Sequence, residues 1–255
     1  MIKKLPLWCV TFAFLAAPAA SFAQTDEIQV YDAAIAEQGK VNLMIHTNFT
    51  PDGRKTPDFP GGIVPNHSDN GAAEWAYGVR DWFEAGLYMP LYSFSDAGPS
   101  FNGFKLRALF VKPHAADQKF FYGLNFEFSF NRKQWDARKH TSEIRPIIGW
   151  HLKPIDFIVN PIVDNSYLHG IKGLDFAPSA RLAYNLPHDW ALATEWYGDF
   201  GTFRDLESAG NQFHEIWAVF DKGSKAVNVE AGIGFGLTSA ADKVTLKLML
   251  SRDLN

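Results

Sequence analysis

Cysteine is nearly absent from this chain: the only one is Cys9, which excludes any disulfide within the molecule. Small exported domains often lean on such bridges, so this one must hold its fold by other means. Long apolar runs are also missing. Beyond the first 23 residues no segment approaches the ~20 consecutive apolar residues that a spanning helix requires. If the chain enters a membrane it must do so as a closed sheet, since lipid offers no partners to open strand edges. There is no basic excess either. Residues 1–23 carry Lys3 and Lys4 and no acid, which leaves 22 Lys and Arg against 28 Asp and Glu in the rest. That balance argues against nucleic acid as a partner. No Walker or dinucleotide glycine pattern follows a strand. No two histidines are spaced as metal ligands on one element, and loop acids such as Asp199 and Asp205 lack EF-hand spacing. No cofactor and no metal are therefore expected.

What is present begins at the N-terminus. Lys3 and Lys4 precede an apolar stretch from Leu5 to Ala17, and Ser21-Phe22-Ala23 supplies small residues before Gln24. This is the layout of a secretory signal peptide. The expected organisation is a signal over 1–23, a periplasmic arm or plug over 24–39, and one domain over 40–255. Cys9 would leave with the signal.

Aromatic residues make up 15% of the chain, and they alternate. In Lys119–Asn131, Phe120, Tyr122, Leu124, Phe126, Phe128 and Phe130 share one parity. Gly123, Asn125, Glu127 and Ser129 share the other, with Phe121 the one large apolar intruder. Successive strand side chains point to opposite faces, so this is a strand with an aromatic face and a polar face. Similar alternation recurs about twelve times, in segments of about nine to eleven residues, the length of a tilted membrane strand. The facing of Gln212–Phe220 is left open, because both of its parities carry large apolar residues. Long connections (50–71, 131–141, 164–173, 199–211) alternate with short ones (80–81, 153–154, 187–189, 221–225). That sorting is the mark of an up-and-down barrel with long outer loops and short periplasmic turns. The fold class expected is all-β, an antiparallel transmembrane barrel of about 12 strands. Pro90, Pro146, Pro161 and Pro178 fall inside these strands, where a closed barrel has no free edge to accept them.

Charges of both signs lie on the polar parity: Arg107, Glu127, Arg145, Arg181 and Glu195 sit mid-strand and would project into the lumen as a selectivity set. Arg107, Glu127 and Arg145 stand on consecutive strands and should pair across them. Such a belt would leave a narrow pathway, or fill the barrel altogether. His67-Ser68-Asp69-Asn70 brings together the groups of a hydrolytic site, but within one polar loop, whereas catalytic triads converge from separate rigid elements. No enzyme is expected.

Three stretches carry a resemblance: Asp26-Glu27-Ile28-Gln29-Val30-Tyr31-Asp32, Asn48-Phe49-Thr50-Pro51-Asp52-Gly53, and Glu74-Trp75-Ala76-Tyr77-Gly78-Val79-Arg80-Asp81-Trp82-Phe83-Glu84. They resemble the opening of the Gram-negative meta-pathway phenol-degradation family and related transporter-like outer-membrane barrels. The resemblance implies a porin-like barrel in the outer membrane that takes up small, aromatic or hydrophobic solutes. Its partners would be outer-membrane lipid, the solute, and the barrel-assembly machinery met after export through the inner membrane. The alternatives are a filled structural barrel, an exported β-sandwich binding module, and an outer-membrane lipid hydrolase.

Overall fold

In a computed structural model, which describes residues 26–167 and 170–255, the alternating segments become twelve antiparallel strands. The signal expected over 1–23 lies outside the described residues. The strands are β1 (Val41–Asp52), β2 (Asp69–Arg80), β3 (Phe83–Ser95), β4 (Gly98–Val111), β5 (Phe120–Asn131) and β6 (His140–His151). Next come β7 (Ile155–Asn160, resumed at Val163–Asn165), β8 (Leu174–Phe176, resumed at Ser179–Leu186) and β9 (Trp190–Asp199). The last are β10 (Phe213–Lys222), β11 (Asn228–Gly236) and β12 (Val244–Asp253). Each strand pairs with its sequence neighbours, and β12 pairs with β1 from Asn42↔Asp253 to Asp52↔Val244. The sheet thus closes on itself and leaves no edge. That closure rules out a β-sandwich. Among the described residues no helix is long and apolar enough to cross a membrane; this chain crosses with strands.

The period-2 pattern now has two environments. On β5, Phe120, Tyr122 and Phe126 are exposed on the outside, while Asn125, Glu127 and Ser129 are buried inside. The outer face carries apolar and aromatic residues that only lipid would cover, among them Trp75, Leu106, Leu182 and Leu192. Rings gather towards both ends, Phe83 on Phe110 (4.8 Å) by the short turns and Phe104 on Phe130 (4.4 Å) by the loops. These are the aromatic girdles of a barrel at its two interfaces. The ambiguous strand β10 faces inward with Glu215, Trp217 and Val219 and outward with Ile216 and Phe220.

The loop sorting has two exceptions. β3 and β4 join through Asp96-Ala97 alone, a tight hairpin on the side of the long loops, and β4 and β5 join on the opposite side through a longer connection, 112–119, with a 3-10 turn at Ala115–Asp117. The prolines find their place in local gaps of the ladder. Met89-Pro90 is skipped by both neighbours of β3, a bulge between Tyr88 and Leu91. Pairing of β6 with β7 stops at Ile144↔Val163 and resumes at Ile148↔Val159, and β8 breaks at Ala177-Pro178. Pro146, Pro161 and Pro178 therefore occupy one interrupted row, where each missing N–H leaves no rung broken.

Inward glycines admit large rings. Phe121, fully buried, lies over Gly149 of β6, and a Cβ there would be 2.1 Å from its ring. Phe121 stacks on His151 at 4.6 Å and packs with Tyr31 and Ile147, so the ring has nowhere to retreat. Gly149→Val is expected to lower unfolding stability by about 1–3 kcal/mol through overpacking, read from the denaturant midpoint in lipid vesicles. An unchanged midpoint would show that the ring is free to shift.

A lumen crossed by its own N-terminal segment

The segment from Asp26 to Gln38 runs inside the barrel and meets inward side chains from nearly every strand. At the inner rim it enters beside β2, where Gly39 N–H donates to Gly78 O (2.7 Å) and Gly78 N–H to Lys40 O (3.0 Å). Gly78 is obligatory there because a Cβ would sit 2.2 Å from the Glu37 carbonyl oxygen. Higher up, Ala36 N–H donates to Glu84 Oε2 (2.5 Å). Asn160 then grips the Tyr31 backbone twice, accepting from its N–H (2.7 Å) and donating to its carbonyl (3.1 Å). Ile28 drops among Ala183, Ala193, Trp217 and Val219, and Asp26 reaches Lys105 at 2.6 Å.

Around this segment the inward charges form two clusters. In the first, Arg107 engages Glu74 (2.6 Å) and Glu84, and donates to Tyr31 Oη (3.2 Å). Glu127 faces Arg107 in register but takes Lys105 (3.4 Å), Asn125 (3.0 Å) and the Tyr31 hydroxyl (3.2 Å). Arg145 pairs with Glu143 two residues away (2.6 Å), donates to the Gln29 carbonyl (3.1 Å), and lies 4.3 Å from the centre of the Tyr31 ring. In the second cluster, Arg181 meets Glu195, Asp221 and Glu230, while Lys247 meets Glu195 (2.5 Å) and Glu230 (2.6 Å).

All five residues chosen from sequence are thus buried and inward. Arg181 and Glu195 pair directly; Arg107, Glu127 and Arg145 gather around Tyr31. The expected chain of pairs Arg107–Glu127–Arg145 does not form, because Arg107 reaches back to β2 and β3 and Glu127 is served by Lys105. Sequence reasoning also missed Tyr31, Tyr88, Glu27 and Asp221. Asp221 falls in the connection 221–225 by sequence but lies on β10, which runs on to Lys222, and Tyr31 belongs to a segment without strand periodicity.

Two cavities flank the crossing. An inner one of about 550 Å³ opens between the short turns and touches Tyr31, Glu37, Asp221 and Asp253. An outer one of about 170 Å³ lies beneath the long loops and touches Glu27, Arg54, Asp164 and Asp199. Both touch Gln29. Arg54, in the loop after β1, pairs with Asp58 of the same loop and with Asp242 (3.1 Å) of the neighbouring loop before β12. Burial alone would lower the Arg54 pKa, but the two carboxylates outweigh it and hold the guanidinium above its ordinary value. Burial pushes the Asp58 carboxyl up, against the pull of Arg54.

The hydrolytic grouping does not assemble in this geometry. Ser68 is fully buried; its hydroxyl donates to the Pro65 carbonyl (2.8 Å) and accepts from the Asn70 amide (3.0 Å). Asp69 accepts from Thr47 (2.7 Å).

No family model and no curated protein matches the chain. Solved structures do. The COG4313 outer membrane channel from Pseudomonas putida F1 aligns with a TM-score of 0.60 at 11% identity, over 89% of this chain and 100% of that one. The NanC porin aligns with a TM-score of 0.54 at 10% identity, over 83% of this chain and 100% of that one. At such identities the likeness speaks for the fold. The chain is an outer-membrane β-barrel of twelve antiparallel strands, similar in fold to these two channel proteins.

Proposed function

We propose that this barrel is a narrow pathway for small solutes, held nearly closed by residues 26–38 and the charges that clasp them. The observation that carries this reading is the pair of cavities, one from each mouth, that meet at Gln29 across a single layer of chain and ion pairs. A general porin would keep an open water column. An aromatic or hydrophobic solute is supported by the rings that line the two cavities, Tyr31 in the inner and Tyr197 in the outer. The pathway needs no catalytic step. It needs only lipid around the barrel, a solute, and the assembly machinery that inserts such proteins.

Arg145 is the test, because it holds the segment at the Gln29 carbonyl, the Glu27 carboxylate (3.7 Å) and the Tyr31 ring. In planar bilayers the wild type should show small conductance. Arg145→Ala should raise ion leak several-fold and shift selectivity toward cations, since Glu27 and Glu143 lose their counter-charge. Large, steady, unselective conductance in the wild type would overturn the narrow pathway. Silence from both proteins would favour a filled structural barrel, a reading supported by how completely the two clusters pair.

A further inference from the structure

We infer that the outer cavity binds a small single-ring solute carrying a positive charge, with its cationic group seated among Asp164, Asp199 and Glu215. The inference deepens the pathway reading by naming a solute class. It rests on that reading for the consequence of binding and on the cavity alone for binding itself.

The basis is charge that finds no partner within the wall. The cavity touches three cations, and each is already engaged: Arg54 by Asp58 and Asp242, Lys105 by Asp26 and Glu127, Arg145 by Glu143 and Glu27. Asp164 on β7, Asp199 on β9 and Glu215 on β10 touch the same cavity. Among the described residues none of the three forms an ion pair. Asp199 accepts only the Gly201 N–H (2.7 Å), and Glu215 only the Trp217 indole N–H (3.0 Å). Asp164 sits directly across from Glu143 on one side and Asp175 on the other. Like charges set opposite each other on adjacent strands oppose folding; Arg145 answers Glu143, whereas Asp164 has no ion pair of its own and would gain one from a cation in the cavity.

A second observation points the same way from the crossing segment, which also lines the cavity. The Glu27 side chain is 2% exposed, and both of its carboxylate oxygens are buried without a hydrogen bond. Its one ion-pair partner is Arg145, at 3.7 Å. A buried acceptor left without a donor is costly, and Glu27 borders the cavity. An N–H-bearing cation there would supply the missing donors.

The nature of the cation follows from the lining. Among the described residues no three acids or histidines converge in a geometry that would hold a metal ion. Tyr197 and Phe213 contribute aromatic surface beside the acids, which suits a cation attached to a ring. The volume, about 170 Å³, lies below the roughly 300–1,000 Å³ of pockets for drug-sized ligands. A single ring with a short ammonium arm is the appropriate scale.

The experiment uses three probes that share a ring and differ in charge: benzylamine, benzyl alcohol and benzoate. Each is titrated calorimetrically into the full barrel in detergent at pH 7. Benzylammonium should bind about tenfold more tightly than benzyl alcohol, the size of one charge-assisted hydrogen bond, and benzoate should bind most weakly. Asp164→Asn should weaken benzylammonium at least several-fold and leave benzyl alcohol unchanged. Asp199→Asn serves the same purpose if the first variant fails the heat-modifiable mobility test of folding. Equal binding of all three probes, preference for benzoate, no binding at all, or indifference to both variants would each overturn the inference. Uptake into vesicles is scored separately. The expected charge order without uptake would refute the pathway and keep the site; uptake without the charge order would do the reverse.

Discussion

Deleting residues 26–35 should turn a barely conducting barrel into an open pore, raising single-channel conductance about tenfold, towards that of open water-filled barrels. The deletion removes Ile28, Gln29 and Tyr31, the layer between the inner and outer cavities. It leaves Gly39 and Lys40 on Gly78 at the inner rim. Closure itself is carried by the β1–β12 ladder, so the variant should still insert and keep its heat-modifiable shift. Selectivity should move toward anions, because Asp26 and Glu27 depart while Lys105 and Arg145 remain. This is opposite in sign to the effect of Arg145→Ala, and the two variants together separate removal of an obstruction from a change of charge. Unaltered conductance in a folded deletion variant would mean that the segment is not what closes the lumen.

The barrel was legible because its two faces meet different solvents, and alternation reports that difference residue by residue. Phe121 broke the pattern on β5 for a reason visible only in three dimensions: Gly149 across the ladder makes room for an inward ring. The prolines looked misplaced because sequence shows strands singly. Pro146, Pro161 and Pro178 make sense once β6, β7 and β8 are aligned and their gaps coincide. That the five chosen charges point inward could be read from parity. Their partners could not, since neighbours in register have side chains long enough to pass one another, and Arg107 finds Glu74 and Glu84 rather than Glu127. The course of residues 26–38 was least legible. It is set by single contacts, such as Asn160 with the Tyr31 backbone and Gly78 with Glu37, and such contacts leave no periodic trace.

Arg107→Met should be the most destabilising single substitution in the lumen, costing about 3–5 kcal/mol, the scale for removing one partner of a buried ion pair. The guanidinium is 5% exposed and neutralises two carboxylates that are each 4% exposed, Glu74 on β2 and Glu84 on β3. Without it, Glu74 keeps neutral or weak partners, His46 (2.9 Å) and the Tyr88 hydroxyl, and Glu84 its bond from Ala36 N–H (2.5 Å). Two acids on adjacent strands would then face each other where little water can screen them. The Tyr31 and Tyr88 rings, each 5.7 Å from the guanidinium carbon, would lose the cation between them. The comparison is Lys243–Asp52, whose side chains are 77% and 49% exposed; Lys243→Met should cost no more than about 0.5–1 kcal/mol. Replacing the whole cluster, Glu74→Gln with Glu84→Gln and Arg107→Met, should recover much of the loss, because the damage lies in the charges left behind. Urea unfolding of the three variants in lipid vesicles measures all of this. A single Arg107→Met midpoint equal to wild type, or a triple variant no better than the single, would show that the belt is wetter and looser than its geometry states.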